Sequence, residues 1–372
     1  MGISYEDFLE AIYDGARRRP LLYRDGRPFH VLLSQQFSRP ELEELCDTAT
    51  AIRRLDRHRD GRDFLLAILR GHRIMNLFAQ PSTRTAQSFM AAAEKLGATV
   101  SLVSDLRTSS FAKGESIADS VRTLSSFFDT IVVRHPDDDF ATQAAWALHN
   151  SRRPVPVISA GSGRSQHVTQ AMLDLYTLRY SFGGGAGVDG KHLVIVGDVA
   201  RNRAARSLAL ILTKFRPGSI RFVSPRDFQP DDELLGYLRR HDIEVEITDD
   251  LEALLRAHGR EIDAIYMTRM QREWDVGGGE GQPKKDATIG DLGAEEGYIL
   301  HSNFRLLIRE DCVIMHPLPR VNELPDSWED HPGFVVWRQV RNGMWMRASL
   351  FATIHGAAGE IRARARRLGL LE

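Results

Sequence analysis

The sequence predicts an α/β fold with two doubly wound parallel sheets. Short β-branched segments alternate with longer segments of helical periodicity along the chain, which is typical of parallel strands connected by helices. The glycine-rich stretch 182–187 interrupts this series, and we expect it to be a hinge or surface loop. The length of 372 residues is also that of two domains.

The first half of the chain is expected to form one doubly wound unit. Ser38 and Glu41 have the spacing of a capping box, and one apolar helical face follows to about Arg54. Helices are also expected around 85–96, 116–128 and 140–148. Strands are predicted between them at Ile74–Phe78, Thr99–Val103, Thr130–Val133 and Val155–Ser159.

The second half repeats the alternation. Its helices are expected around 202–214, 231–241 and 250–258. The segment 277–285 contains five glycines and prolines and predicts a flexible loop, and a long arginine-rich helix from about 347 to 368 closes the chain. Strands are predicted at 192–196, 219–223, 244–248, 264–267 and 312–315.

Composition excludes several classes of function. The chain has 49 basic and 50 acidic residues, so no overall positive field favours nucleic acid or anionic membranes. Two cysteines, Cys46 and Cys312, are too few for a disulfide framework or a four-cysteine zinc site. The N-terminus lacks the apolar run of a signal peptide, and no stretch of 18 apolar residues occurs. We therefore expect a cytoplasmic protein without a membrane partner.

Ser82-Thr83-Arg84-Thr85 follows an apolar strand and opens a helix. Hydroxyls, free backbone N–H groups and a guanidinium converge at such a helix N-terminus, which favours an oxyanion such as phosphate. On these four residues alone, a solvated helix cap is the more common explanation.

Three further segments of the first half carry polar groups. Lys113 lies in a polar loop after Ser109 and Ser110, where it could reach a phosphate or simply be solvated. Arg134 follows the run 130–133 at the carboxyl end of a buried strand, where α/β sheets place ligand-binding residues, although an ion pair with an aspartate in 137–139 would also explain it. His167 and Gln170 are three residues apart at a helix start, so their side chains point the same way.

In the second half, Gly197-Asp198 follows a strand but lacks the glycine spacing of a pyrophosphate site, so a nicotinamide cofactor is not expected. Arg203 begins the next helix, and Arg269 with Gln271 follows the strand 264–267. Two arginines at sheet ends suit a small dicarboxylate, because each can make bidentate contacts. The turn His316-Pro-Leu-Pro319 offers carbonyls that could orient an amine or amide, although a proline-rich turn is usually only a turn.

Together these segments resemble the aspartate/ornithine carbamoyltransferase family, over about residues 29–360 and in the family's order and spacing. The ornithine branch would show a cysteine at the turn that His316-Pro317 occupies and a Ser-Met-Gly motif, and neither is found. The resemblance therefore favours the aspartate branch. The motifs that carry it are Ser82–Thr85, Lys113–Glu115, Arg134–Pro136, His167–Gln170, Val196–Asp198 with Arg203, Tyr266–Gln271 and His316–Arg320.

The resemblance implies carbamoyl transfer from carbamoyl phosphate to the α-amino group of L-aspartate in pyrimidine biosynthesis, with no metal or organic cofactor. It implies an N-terminal extension over 1–28, a carbamoyl-phosphate-binding domain over 29–168 completed by the C-terminal helix 345–372, and an aspartate-binding domain over 183–340. It also implies a homotrimer that shares its active sites, with a larger assembly left open.

The resemblance also implies a role for each motif residue. Ser82, Thr83, Arg84 and Thr85 would hold the phosphate, and Thr85, Arg134 and His167 would polarise the carbonyl oxygen. Gln170 would orient the carbamoyl amide, and Lys113 would come from a neighbouring chain with either Ser109 or Ser110. The aspartate carboxylates would be bound by Arg203, Arg269 and Gln271, with Leu318 and Pro319 completing the set.

Two departures from the family pattern leave alternatives open. Val168 stands where the family has a proline, and the loop after Gln271 is longer and more glycine-rich than usual. One alternative is a carbamoyltransferase with a different amine acceptor. Another is a catalytically weak paralogue that serves as an assembly subunit, although retention of the charged binding residues argues against it.

Overall fold

The computed structural model describes residues 2–104, 114–163, 166–184, 187–270 and 296–371. The chain divides into two compact units. The first unit contains the described residues of 1–169 and 341–372, and the second those of 170–340. No helix in these described ranges has the length and apolar character needed to cross a membrane.

The first 28 residues are part of the core of the first unit. Phe8, Ile12 and Leu22 are fully buried and belong to the same apolar cluster as Leu77 and Val133 of the sheet. Burial of such side chains contributes about 1.5–3 kcal/mol each. The N-terminal segment therefore adds to the stability of this unit. Its elements are α1 (Tyr5–Tyr13), α2 (Arg19–Leu22), β1 (Tyr23–Arg24) and β2 (Arg27–Pro28), with β1 and β2 forming an antiparallel hairpin.

The remainder of the first unit is a four-stranded parallel sheet with its helices. The capping box of Ser38 and Glu41 is confirmed, since the Ser38 N–H donates to Glu41 Oε2 at 2.7 Å at the start of the next helix. The strand order is β4-β3-β5-β6. Its elements are α3 (Arg39–Leu55), α4 (Arg59–Ile68), β3 (Arg73–Phe78), α5 (Thr83–Lys95), β4 (Thr99–Val103), α6 (Ile117–Ser125), β5 (Thr130–His135), α7 (Phe140–His149) and β6 (Val157–Ser162).

The second unit contains a five-stranded parallel sheet of order β11-β10-β7-β8-β9. It is entered through α8 (Val168–Ser181) and left through α12 (Val336–Ile354), two helices that each span a division between the units. The elements between these helices are β7 (His192–Val196), α9 (Arg203–Leu212), β8 (Ser219–Val223), α10 (Asp232–Arg240), β9 (Val245–Thr248), α11 (Leu251–His258), β10 (Ala264–Met267) and β11 (Val313–Met315).

The prediction of an α/β fold with two parallel sheets is confirmed, and each sheet reverses its winding at one pair of neighbouring strands. In the first sheet the reversal lies between β3 and β5, and in the second between β7 and β10. At such a point the connections leave in opposite directions, which opens a crevice at the carboxyl ends of the two strands. Each unit thus has one preferred edge for binding a ligand.

The prediction of a single C-terminal helix over about 347–368 is wrong. The structure has α12, which begins eleven residues earlier at Val336, and a separate α13 (Ala358–Arg367) that packs against α3. Gly356 lies between them with φ +78°, a conformation that ends a helix and that glycine adopts without steric cost.

Two strands differ from the prediction by more than one residue at an end. β5 continues through Arg134 and His135, so Arg134 lies within the strand rather than after it. β6 begins at Val157, two residues later than expected, since Pro154 and Pro156 have no N–H to donate to a neighbouring strand. The expected loop 277–285 and part of the glycine-rich stretch, residues 185–186, lie outside the described residues.

His30 is a fully buried imidazole in the first unit. Its Nδ1 accepts a hydrogen bond from the Val157 N–H at 3.1 Å, and its ring packs edge-on against Phe29. Burial, with the charges of His149 and Arg24, lowers the pKa of His30 to about 3. The unfolded chain binds a proton at this position below pH 6.5 and the folded chain does not, so protonation favours unfolding.

We predict that His30→Asn weakens the pH dependence of stability. Between pH 7 and pH 5 the native His30 should reduce the free energy of unfolding by about 2 kcal/mol, and the variant should lack that part of the loss. Asparagine keeps an acceptor for the Val157 N–H. Urea unfolding at the two pH values measures the difference, and an unchanged loss in the variant would contradict the prediction.

Candidate active site

The carboxyl end of β3 presents the first group of predicted site residues. Ser82 precedes α5, and its Oγ donates to Thr85 Oγ1 at 3.0 Å instead of capping the helix. The N–H groups of the first turn of α5 are therefore not satisfied by Ser82 and are available to an anion. Thr85 is buried, whereas Thr83 and Arg84 are exposed.

Arg84 adds a charge to this helix end. Partial desolvation lowers the pKa of its guanidinium. A phosphate at the N-terminus of α5 would favour the charged form and offset that effect, because opposite charges stabilise each other most where water is partly excluded. Since Ser82 does not cap the helix, the charge of Arg84 and the N–H groups of the first turn suit this helix end to an anionic ligand.

Arg134 lies at the adjacent strand end. It pairs with Phe78 across the β3–β5 ladder, and its backbone oxygen accepts a hydrogen bond from the Gln80 N–H at 3.3 Å. Its guanidinium donates to the Ala160 carbonyl oxygen at 3.0 Å. The reversal point of the first sheet therefore brings Arg134 and the Ser82–Thr85 group to the same edge.

His167 is buried at the carboxyl end of the connection from β6 to α8. The preceding Gln166 fixes this connection, since its Oε1 accepts from the Ser34 N–H at 2.7 Å and its Nε2 donates to Gln35 Oε1 at 2.9 Å. Val168, the first residue of α8, is fully buried. The residue that departs from the family pattern thus fills space in the core, and its neighbour His167 remains at the helix start.

Gln170 lies in the first turn of α8 and is oriented by a buried carboxylate. Its Nε2 donates to Asp174 Oδ1 at 2.9 Å, and Asp174 also accepts from Tyr266 Oη at 2.7 Å and from Gln339 Nε2 at 2.7 Å. Asp174 is fully buried. Because an ionised carboxylate can only accept, the Nε2 group of Gln170 must face it, which leaves Oε1 of Gln170 to accept from a ligand.

The same network reaches the turn 316–319. Gln339 Oε1 accepts from the His316 N–H at 3.0 Å, and His316 Nδ1 accepts from the Leu318 N–H at 2.8 Å. Nε2 of His316 therefore carries the proton and donates to Glu323 at 2.7 Å. Burial lowers the pKa of His316. Burial opposes ionisation of Glu323, but hydrogen bonds from His316 and from the backbone outweigh it and lower the pKa of Glu323.

This pair of a neutral imidazole and a carboxylate holds an unusual backbone. Leu318 has φ +59°, which costs a residue with a Cβ about 1–2 kcal/mol. The bond from the Leu318 N–H to His316 is one of the contacts that maintain it. Strain of this kind is concentrated at ligand-binding sites, where it sets the direction of backbone groups. Leu318 is half-buried and Pro319 is exposed.

Arg203 and Arg269 follow the two strands at the reversal point of the second sheet. Asn202 caps α9 by accepting from the N–H groups of Ala204 and Ala205, which places Arg203 at the first position of the helix. Arg269 follows β10 and is half-buried, and its charge contributes to the lowered pKa of His316. Both arginines thus lie at the carboxyl edge of one sheet.

Two contacts position the loop before Arg203. Asp198 is fully buried and accepts from the N–H and the Nε of Arg201, at 3.0 and 2.7 Å. Gly197 has φ +113°, and a Cβ there would clash with the carbonyl oxygen of Thr268. The glycine is therefore required by the close approach of the two strand ends rather than by a pyrophosphate.

Two family models match the chain. The model for the aspartate/ornithine carbamoyltransferase carbamoyl-P binding domain matches residues 30–180, and that for the Asp/Orn binding domain matches residues 189–354. The chain belongs to the aspartate/ornithine carbamoyltransferase family. The resemblance inferred from the sequence is thereby confirmed.

Relatives named aspartate carbamoyltransferase, and one multifunctional protein, match most of the chain. The catalytic subunit of Cellvibrio japonicus is 34% identical over 91% of this chain and 95% of its own length. The chloroplastic enzyme of Arabidopsis thaliana is 34% identical over 86% and 76%. The multifunctional protein CAD of Squalus acanthias is 35% identical over 88% of this chain, which spans only 13% of that protein.

Solved structures of the same kind share the fold. Aspartate transcarbamoylase from Trypanosoma cruzi, in complex with carbamoyl phosphate and aspartate, matches with a TM-score of 0.74 and 29% identity, covering 88% of this chain and 96% of its own. The catalytic subunit from M. jannaschii matches with a TM-score of 0.71 and 30% identity, covering 88% and 98%.

Several residues that support the candidate site were not predicted. Arg347 of α12 is buried, donates to Ser88 Oγ at 2.7 Å and lies over the Phe89 ring. Both contacts are with α5, so Arg347 helps to hold this helix in position. An arginine within the apolar run 343–352 was the available signal. The other residues in this class are Gln166, Asp174 and Glu323.

Four predicted site residues, Ser109, Ser110, Lys113 and Gln271, lie outside the described residues. In the part of the chain that the structure describes, no group of three or more histidine, cysteine, aspartate or glutamate side chains is arranged to hold a metal ion.

We predict that Gly197→Ala costs about 1–3 kcal/mol more unfolding free energy than Gly190→Ala. Both glycines have positive φ, but a Cβ at Gly190 has no neighbour within 4 Å. The difference between the two variants therefore measures the close approach of the strand ends together with the greater backbone strain of alanine at φ +113° than at φ +69°. Urea denaturation measures both variants, and equal losses would show that the contact with Thr268 relaxes freely.

Proposed function

We propose that the chain transfers the carbamoyl group of carbamoyl phosphate to the α-amino group of L-aspartate, giving N-carbamoyl-L-aspartate and phosphate, as a step of pyrimidine biosynthesis. The observation that carries the proposal is that each unit of this family member presents anion-binding groups at the reversal point of its own sheet. Relatives that share about a third of its residues are named for this activity.

Phosphate binding is assigned to the N-terminus of α5. The first-turn N–H groups, the Ser82, Thr83 and Thr85 hydroxyls and the Arg84 guanidinium provide donors for a phosphate at one place. We assign residues 29–168 with 345–372 to this domain, and the extension 1–28 packs into the same core.

Carbonyl activation is assigned to Thr85, Arg134 and His167. As the amine adds to the carbonyl carbon, negative charge develops on the carbonyl oxygen, and donors already held in position stabilise it. The C–N bond forms, the C–O bond to phosphate breaks, and the departing phosphate accepts the proton that the amine loses. Gln170 accepts from the carbamoyl NH2 through Oε1, the orientation that Asp174 imposes.

Aspartate binding is assigned to the domain over 183–340. Arg203 and Arg269 suit the two carboxylates, because a guanidinium can bind a carboxylate through two parallel hydrogen bonds. Gln271, Leu318 and Pro319 complete the proposed set. Holding the amine in line with the carbamoyl carbon supplies much of the catalysis, since the reaction becomes effectively unimolecular. The step needs no metal or organic cofactor, because phosphate is a good leaving group.

We also propose a homotrimer in which Lys113, with Ser109 or Ser110, completes the phosphate site of a neighbouring chain, and a cytoplasmic location. The support for the trimer is membership of the family. The support for the location is the composition and the burial of the free cysteines Cys46 and Cys312.

The direct test incubates the pure protein with carbamoyl phosphate and L-aspartate and follows carbamoyl aspartate and phosphate together. We expect equal amounts of the two products. A panel of other amines tests the acceptor, and a faster reaction with any of them, or phosphate release without carbamoyl aspartate, would overturn the assignment of aspartate.

We predict that Arg84→Ala and Arg269→Ala change different kinetic constants. Arg84→Ala should lower kcat about 100- to 1,000-fold, because it removes a charged donor from the phosphate. Arg269→Ala should raise KM for aspartate about 10- to 100-fold and change KM for carbamoyl phosphate little. Arg269→Lys should recover only part of the loss.

Arg70→Ala serves as the control for both, because Arg70 is an exposed arginine of the first unit outside the proposed site, and we expect rates within about twofold of the native protein. Near-normal turnover of Arg84→Ala at saturating carbamoyl phosphate would contradict the phosphate site. Loss of carbamoyl phosphate affinity alone in Arg269→Ala would require the two substrate sites to be exchanged.

We predict that mixing inactive Arg84→Ala and Lys113→Ala proteins restores activity. If each site combines Arg84 of one chain with Lys113 of its neighbour, random exchange gives both intact residues at roughly a quarter of the sites. Turnover before and after exchange measures this, and native mass spectrometry confirms mixed trimers. Absence of recovery in mixed trimers would place Lys113 within its own chain or outside the site, and a monomeric mass would exclude sharing.

A further inference from the structure

A cavity of about 280 Å³ opens in the first unit at the edge of the sheet opposite the proposed phosphate site. His72 directly precedes β3, Asp129 precedes β5 and Pro156 precedes β6, so the cavity lies at the amino ends of these strands. The proposed catalytic groups follow the carboxyl ends of the same strands. This cavity is therefore separate from them, and we call it the amino-edge pocket. It is lined by Arg24, Asp25, Arg27, Pro28, Phe29, His72, Asp129, Arg153, Pro154, Val155, Pro156, Ile354 and His355.

One wall of the amino-edge pocket comes from the N-terminal extension. Residues 24–29 include the hairpin of β1 and β2, and all of them precede residue 30, where the match to the carbamoyl-P binding domain model begins. Asp25 and Gly26 form the hairpin turn, both with positive φ. Arg27 is held over Gly356, where a Cβ would clash with its guanidinium. The wall is thus ordered by the fold and is additional to the part of the chain that the family model covers.

The charges of the pocket favour an anion. Three guanidinium groups line it, from Arg24, Arg27 and Arg153, against two carboxylates. Asp129 and Arg153 form an ion pair at 3.1 Å and balance each other, and Asp129 also accepts from the Arg73 N–H at 2.9 Å. Asp25 is largely exposed and lies 3.6 Å from Arg27, so solvent weakens that pair.

Arg24 carries the excess positive charge. Its guanidinium stacks on the Phe29 ring at 4.1 Å and forms no ion pair with a carboxylate of the described residues. Stacking leaves the edge of a guanidinium, with its N–H groups, free to donate to an oxyanion.

The remaining lining is apolar and aromatic. Pro28, Pro154, Pro156 and Val155 contribute apolar surface, and the rings of His72 and His355 pack edge to face at 4.6 Å. Thr130 Oγ1 donates to the Asp129 carbonyl oxygen, so His355 Nε2 must donate to Thr130 at 2.8 Å. Burial, with the charges of His72 and Arg27, lowers the pKa of His355 to about 4, which keeps this ring uncharged at neutral pH.

We propose that the amino-edge pocket binds a small organic phosphate ester, with the phosphoryl group on Arg24, Arg27 and Arg153 and the organic part against the prolines and imidazoles. Guanidinium groups bind phosphate through paired charge-assisted hydrogen bonds, and the apolar wall accounts for an organic substituent. The volume lies near the lower end of the range for ligand pockets, which suits a ligand of modest size.

The test measures binding of phenyl phosphate by isothermal titration calorimetry, in a buffer free of phosphate and with the full chain. The native protein should bind two molecules per chain, one at each phosphate site, and Arg84→Ala should bind one. The remaining site should bind phenyl phosphate at least about tenfold more tightly than inorganic phosphate, and phenol should not bind measurably.

In the Arg84→Ala background, Arg24→Gln and Arg27→Gln should each weaken binding about tenfold, because each removes a charged donor. Asp25→Asn should strengthen binding about two- to fivefold, since it removes a carboxylate beside Arg27. A gain of affinity is not expected from damage to the fold. Arg17→Gln is the matched control, because Arg17 lies in the same extension with similar exposure and a similar surface ion pair, and binding should be unchanged.

The proposal is overturned if Arg84→Ala binds no phenyl phosphate at millimolar concentration, or if the Arg24 and Arg27 variants bind as the control does. Equal affinity for inorganic phosphate would overturn the assignment of an ester. The proposed carbamoyltransferase activity is tested separately. Two bound molecules per chain in Arg84→Ala would contradict the role of Arg84 at the catalytic site. The variants of residues 24–27 test the amino-edge pocket alone.

Discussion

The reversal of winding in each parallel sheet is the constraint on which the site depends. In the first sheet, β3 and β5 are neighbours whose connections leave on opposite sides, and in the second, β7 and β10 have this relation. Polar residues that follow these strands gather at one edge although they are far apart in sequence. For this reason Ser82 and Arg134 lie at the same edge of the first sheet, and Arg203 and Arg269 at the same edge of the second.

Buried polar side chains hold the residues of the candidate site in position through hydrogen bonds. Asp174 accepts three hydrogen bonds in the core, and through Gln339 it is connected to the turn that contains Leu318. A buried carboxylate would be strongly destabilising without such donors. Because Asp174 accepts from Nε2 of Gln170, the network fixes the orientation of this amide, and the proposed contact of its Oε1 with the carbamoyl group would need no rearrangement.

Much of this arrangement could be predicted from the sequence, since it depends on local patterns. Strands such as Thr99–Val103 and 192–196 were predicted with the bounds that the structure has, because β-branched runs end at glycine or charged residues. The groups at strand ends were found because polar residues after a buried strand are conspicuous. The family resemblance was then read from the same residues.

Other features depend on contacts between distant residues and could not be predicted. The strand order, and with it the two reversal points, follows from which strands pair. The role of Asp174 depends on Tyr266 and Gln339, which are 92 and 165 residues away. The break between α12 and α13 was missed because only three residues, 355–357, interrupt a continuous helical pattern, and a glycine within such a pattern is often tolerated.

The division of the chain also determines the order in which its parts can be completed during translation. The second unit is continuous in sequence, over residues 170–340, whereas the first includes the last segment, 341–372. Within the first unit, Phe351 of α12 packs against Phe89, and Ser349 donates to the Leu45 carbonyl oxygen. Although domains usually fold in N- to C-terminal order on the ribosome, here the first unit can be completed only after the whole second unit and residues 341–372 have been synthesised.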